Sequence, residues 1–136
     1  MTAPSLFVVP KIARPQPAPP TLEHWRIDEL RGILGERRFH TLVRLLVDDC
    51  RNRPPRLRAS ADRRDLVALR AEAHGLAGAA ASIGASALGE AARAIAEACE
   101  ASATMPLIIA LEQAAEETLR AASGLIEAAE KIMVRR

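Results

Sequence analysis

The sequence predicts an all-α protein, an antiparallel up-down four-helix bundle with an additional short helix at its N-terminal end. Apolar residues recur at spacings of three and four from Ile27 to Ala129, the period of helices that bury one face. Hydrophobic residues make up 49% of the chain and aromatics only 2%, so small and aliphatic side chains fill the core. Such fillers favour closely packed helices, and no run alternates with the period of two that a strand requires. A length of 136 residues suits one domain around one core.

Residues 1–20 carry Pro4, Pro10, Pro15, Pro17, Pro19 and Pro20, which argue for an extended or disordered arm and against a stable helix. The helical domain is expected over 21–136. Thr21 with His24 three residues on gives a weak helix start, and Ile27, Leu30 and Leu34 make a short stripe that Gly35 should interrupt. The sole tryptophan, Trp25, is expected to plug the core under this helix. A second helix is predicted over about Glu36–Arg51, with Phe39, Leu42, Val43, Leu46 and Cys50 inward, ended by Pro54-Pro55.

A third helix should open near Asp62, where Asp62 and Asp65 place acid in a first turn, and run to Ile83. Its inward stripe is Leu66, Leu69, Ala73, Leu76, Ala80 and Ile83. Gly84 suits its C-terminus. The fourth helix covers about Ala85–Ala101 with Leu88, Ala92, Ile95 and Cys99 inward. Thr104 as N-cap and Pro106 in the first turn open a fifth, reaching about Val134 through Ile108, Leu111, Ala115, Leu119, Ala122, Ile126 and Ala129. Gly124 is its weak point.

His74 stands out on the third helix. At 100° per residue it lies roughly 130° from the middle of the apolar stripe, so its ring should face outward. Residues three and four apart share a helix face, which makes Arg70, Ala71, Ala77 and Gly78 its neighbours, with Val67 and Ala81 a turn further out. Nearly all are too small to hide an imidazole. Gly75 and Gly78 each cost about 1 kcal/mol relative to alanine in a helix interior. Two such penalties flanking one histidine indicate that space there outweighs helix stability.

The ordered set Ala73-His74-x-Leu76-x-Gly78, with Gly84 six residues on, resembles the signature of the histidine-containing phosphotransfer (HPt) domains of bacterial multi-step phosphorelays. Asp65-Leu66-x-x-Leu69 before it, Ala85-x-x-Leu88 after it and the turn Leu34-Gly35-Glu36-Arg37-Arg38-Phe39 are similar too. The likeness spans roughly residues 27–133. It implies a four-helix bundle and a phosphocarrier, not an autonomous enzyme. His74 would accept a phosphoryl group from a receiver-domain aspartate and pass it to another receiver. The implied partners are response-regulator receivers or a hybrid histidine kinase, with Mg²⁺ supplied by the receiver and no cofactor in this chain. The family normally has lysine where this chain has Ala77. Arg70, one turn before His74 on the same face, is the candidate cation in its stead. Val67, Ala71, Ala77, Gly78 and Ala81 are the candidate docking residues. The missing lysine also raises an alternative, an interaction module that binds a receiver or kinase without accepting phosphate.

Neutral imidazole is a competent phosphorus nucleophile. The chain has neither a phosphate loop ending in Gly-Lys-Ser/Thr nor kinase nucleotide motifs, so a partner must position the donor. His24 and His40 show no metal-ligand spacing with His74, and no metal is expected. Cys50 and Cys99 read as small hydrophobes in a core. Arg51, Arg53, Arg56, Arg58, Arg63 and Arg64 cluster around Pro54-Pro55, but no stacking aromatics are interleaved and the net charge is only +2, so nucleic acid is not an expected partner. Leu6-Phe7-Val8-Val9 is too short for a signal core or membrane span, and a cytoplasmic monomer is expected.

Overall fold

The computed structural model describes residues 18–98 and 105–135. Its helices are α1 (His24–Asp62), α2 (Leu66–Ile83), α3 (Ser86–Glu97) and α4 (Met105–Arg135). α1 is two helices joined at Gly35, whose φ of 79° and ψ of 166° break the helical path. The piece before it is the short additional helix, which drives Ile27 and Leu30 into the core. The rest of α1 forms the bundle with α2, α3 and α4, each helix packed on the next and α4 closing back on α1.

Side-chain pairs fix the directions. His40 faces Glu130 at 3.5 Å, while Arg58 grips Glu112 through Nε (2.7 Å) and Nη2 (2.6 Å), so α1 and α4 run antiparallel. That two-pronged bond holds the Glu112 carboxyl below its ordinary range against the opposing effect of burial. Short turns reverse the chain between α1 and α2 and between α2 and α3. The architecture is therefore the up-down bundle that the periodicity predicts.

Phe39, Leu57, Leu69, Leu76, Ile83, Leu88, Ile95, Ile108 and Leu111 are fully buried. Ala73, Ala80, Ala92 and Ala122 are equally buried, and their small size lets helix backbones approach closely. Cys50 lies in this core; burial, reinforced by the Asp49 carboxylate, pushes its thiol up to about 12. It is an uncharged filler at neutral pH. The buried hydroxyl of Thr118, which periodicity did not single out, donates to the Ala114 carbonyl at 2.7 Å and leaves no polar atom stranded.

Several expectations are corrected. Pro54-Pro55 does not end the second helix, which continues to Asp62. Pro54 is buried and extends the inward series Cys50–Pro54–Leu57–Ala61, so core burial overrides the missing amides. Asp62 therefore closes α1, and α2 starts later, with Asp65 as N-cap accepting from the Ala68 amide at 3.1 Å. α1 starts at His24 with Glu23 as its cap residue, and Thr21 plays no part in it. Trp25 is no core plug: it is 64% exposed, its indole N–H bonded to Glu23 at 3.1 Å. Within α4, Leu119 and Ile126 are half-buried at the edge of the core, and Gly124 does not interrupt the helix. The Pro-rich arm to residue 17, Cys99 and Thr104 lie outside the described residues.

Pro55, unlike Pro54, is exposed and contributes nothing to the core. Pro55→Ala restores a helical hydrogen bond and should raise unfolding free energy by about 2 kcal/mol in urea titration, the helix gain outweighing the looser unfolded chain. An unchanged or lowered midpoint would show that α1 does not pass through this point as a helix.

Candidate functional site

Packing on both sides fixes the rotation of α2 about its own axis. Its buried set is Leu69, Ala73, Leu76, Ala77, Ala80 and Ile83. At its end Gly84 takes φ of 81°, the left-handed conformation of a helix stop, and its amide region is covered by the chain entering α1. There the Glu23 amide donates to the Gly84 carbonyl (2.9 Å), and the Ala87 amide donates to the Pro20 carbonyl (3.0 Å). A Cβ on Gly84 would come within 2.9 Å of the Arg26 side chain, so both backbone angle and space demand glycine.

With the stripe so held, His74 is exposed, and no side chain among the described residues hydrogen-bonds its ring. Val67, Arg70, Ala71, Gly78 and Ala81 are exposed along the same strip, Val67 at 81%. A Cβ on Gly78 would meet nothing within 4 Å, so this glycine leaves open surface beside the ring. Ala77 is a correction: at 8% exposure it belongs to the core. It lies roughly 70° from the centre of the buried stripe, on the side facing α3, whereas Gly78 lies nearly opposite. A docking partner cannot rest on its methyl group.

The strip continues sideways onto α1. Leu42, Leu45, Leu46 and Asp49 line a shallow groove with Ala79, Ser82 and Ile83, and Leu45 is 57% exposed. An outward leucine next to a row of small residues gives the face an apolar patch.

The two arginines flanking the site are bound in different ways. Arg70 Nη2 donates to the Ala98 carbonyl at 2.8 Å, just past the C-terminal end of α3, where a cation also suits the helix dipole. The candidate cation therefore leans toward α3. From α1, Arg53 lies against the backbone of α2 at Gly75. A Cβ there would sit 2.5 Å from its Nη1 and 2.9 Å from its Cζ, closer than any real contact. Arg53 Nε donates to Asp49 at 3.2 Å and Nη1 to Glu72 at 3.3 Å. Gly75 thus makes room for an arginine of another helix, not for a partner's approach. Of the arginines around Pro54-Pro55, Arg51, Arg53, Arg56 and Arg58 sit on α1, while Arg63 and Arg64 lie in the turn after it; besides Arg53, Arg58 is committed to Glu112. Partly exposed ion pairs contribute about 0–1 kcal/mol, which does not clearly exceed the roughly 1 kcal/mol a mid-helix glycine costs. The notch therefore has little to recommend it as a stabilising device.

Chemically, the strip offers one accessible imidazole beside small side chains and open space. Among the described residues no group of three or more His, Cys, Asp or Glu side chains could hold a metal ion. Nor is any described helix long and apolar enough to cross a membrane.

A family model described as Hpt domain matches residues 41–130, which include α2 and the strip around His74. The chain belongs to the Hpt domain family. Among solved structures, Hpt architecture of the same kind is seen in the crystal structure of histidine-containing phosphotransfer protein B from Pseudomonas aeruginosa PAO1. The likeness has a TM-score of 0.63 at 22% identity and covers 86% of this chain and 97% of that one. No curated protein matches the chain. The matched region contains Ala73, His74, Leu76, Ala77 and Gly78, the residues on which the sequence resemblance rests. Gly75, next to the histidine, is occupied by the arginine described above.

Differences in exposure set an order of reactivity. Exposed His74 and His24 should be carbethoxylated by diethyl pyrocarbonate several-fold faster than His40, whose side chain is 15% exposed and faces Glu130. Peptide mass mapping over a time course measures this, and His40 reacting ahead of His74 would contradict the placement of α2.

Proposed function

We propose that the chain is a phosphocarrier of a multi-step relay in which His74 takes a phosphoryl group from a receiver-domain aspartate and delivers it to another. The carrying observation is the exposed imidazole on a strip of small side chains, within the region that matches the Hpt family. A ring nitrogen attacks phosphorus in line, the P–O bond of the acyl phosphate breaks, and its electron pair leaves with the aspartate carboxylate. The reverse exchange with a second receiver completes the relay.

In such transfer, placement and charge neutralisation supply most of the barrier reduction. The receiver brings its own Mg²⁺, and this chain contributes the nucleophile and a surface flat enough for close approach. Val67, Ala71, Gly78 and Ala81 form that surface, extended by Leu45 on α1. We read the chain as a carrier and not a catalyst in its own right, monomeric and acting in the cytoplasm, with receivers or a hybrid histidine kinase as partners.

Ala77 favours a second reading, an interaction module that docks on a receiver or kinase and accepts no phosphate. Acid-labile, alkali-stable labelling by a panel of phosphorylated receivers separates the two. Label that is lost in His74→Ala supports transfer, whereas binding without label supports the module. Label persisting in His74→Ala would remove His74 from the role. On the same panel, Gly78→Leu should cut transfer at least about tenfold by holding the partner away, since contacts misplaced by an ångström cost of that order or more. The bundle should stay folded, because Gly78 faces open space. Normal transfer by a folded Gly78→Leu protein would contradict the docking surface.

A further inference from the structure

We infer that Arg53, reaching across from α1 through the notch at Gly75, is the residue that binds the phosphoryl group carried by His74. This rests on the reading of His74 as phosphoacceptor. The guanidinium lies directly on the residue that follows His74, so close that any side chain at position 75 would displace it. Asp49 and Glu72 hold two corners of the fork, through Nε and Nη1. Nη2 donates to no group among the described residues, which leaves one edge of a planar, always-charged group for an anion.

Only small residues of α2 separate the guanidinium from His74. Going around α2 from Gly75 to His74 at 100° per residue, the positions crossed are Ala71 and Gly78. Neither has a side chain beyond a methyl group, and Gly78 faces empty space. No long side chain of α2 therefore stands between a phosphoryl group on His74 and the guanidinium at Gly75. Phosphate oxygens accept short, paired bonds from arginine, and a dianion competes for the fork more strongly than either single carboxylate. Arg70 is placed worse for this. It lies on the opposite side of His74 and its Nη2 is committed to the Ala98 carbonyl. Ala77, where the family's lysine is missing, is buried toward α3. The cation thus enters from the α1 side, by a contact between residues 22 apart in sequence (75 − 53).

The full chain labelled with phosphoramidate, a small donor that needs no partner, tests this. Phosphohistidine is followed by ³¹P NMR in the wild type and in R53Q, R53K, G75A and R70Q. Losing a charge-assisted contact to the phosphoryl group should slow labelling about tenfold in R53Q. It should also move the ³¹P titration midpoint of the phosphoryl group to higher pH, which a purely structural arginine would not do. R53K should recover part of both effects. G75A keeps both side chains yet pushes the guanidinium away, so it should reproduce R53Q even if R53Q folds poorly, while R70Q should behave as wild type. Wild-type labelling and titration in R53Q or G75A, or an effect confined to R70Q, would overturn the assignment while leaving His74 as acceptor. An unlabelled wild type would overturn the His74 reading and this inference together.

Discussion

Everything at the site depends on how α2 is rotated, and burial of Leu69, Ala73, Leu76, Ala80 and Ile83 decides that rotation. Burying a leucine or isoleucine side chain contributes about 1.5–3 kcal/mol, so turning the helix to bring His74 inward would forfeit several such contributions and bury an imidazole as well. Alanines between the larger residues let α1 and α3 approach from both sides, and only a narrow outer strip stays in water. His74 stands in the middle of it. No hydrogen bond is needed to aim the ring outward.

The three glycines of this region carry separate loads. Gly84 supplies a backbone angle that ends α2 and seats the chain entering α1. Gly78 leaves open surface beside the imidazole, and Gly75 admits the Arg53 guanidinium against the helix backbone. Only the first strengthens the fold. The other two weaken a helix that is otherwise rich in its best-forming residue, and both lie on the side of His74 that faces α1. Stability has been given up for open surface at Gly78 and for an arginine of another helix at Gly75.

The bundle was legible in the sequence because helix periodicity is local: every apolar stripe can be read without knowing its neighbours. The break at Gly35, the stop at Gly84 and the outward face of His74 follow from the same arithmetic. Pro54-Pro55 was misread because propensity was weighed over pattern, although Cys50, Pro54, Leu57 and Ala61 continue the inward series at spacings of four, three and four. Trp25 was misplaced because size alone suggested burial, while its helix already buries Ile27 and Leu30. What periodicity cannot show is contact between helices. Arg53 in the notch of Gly75 and Arg70 on the Ala98 carbonyl join residues far apart in the chain, and nothing in the local pattern pairs them. A mid-helix glycine directly after the histidine was the one available signal, and it pointed to a need for space without naming what fills it.

The claim at the centre is that α2 presents His74 to solvent on a fixed bundle. Amide ¹H–¹⁵N spectra of the chain before and after phosphorylation by a small donor test it most directly. One phosphohistidine should form, with shift changes confined to the outer strip of α2 and the α1 residues facing it, while Leu69, Leu76, Leu88, Ile95 and Leu111 keep their resonances. Changes spread through those core residues, or a chain that takes no phosphoryl group at position 74, would contradict it.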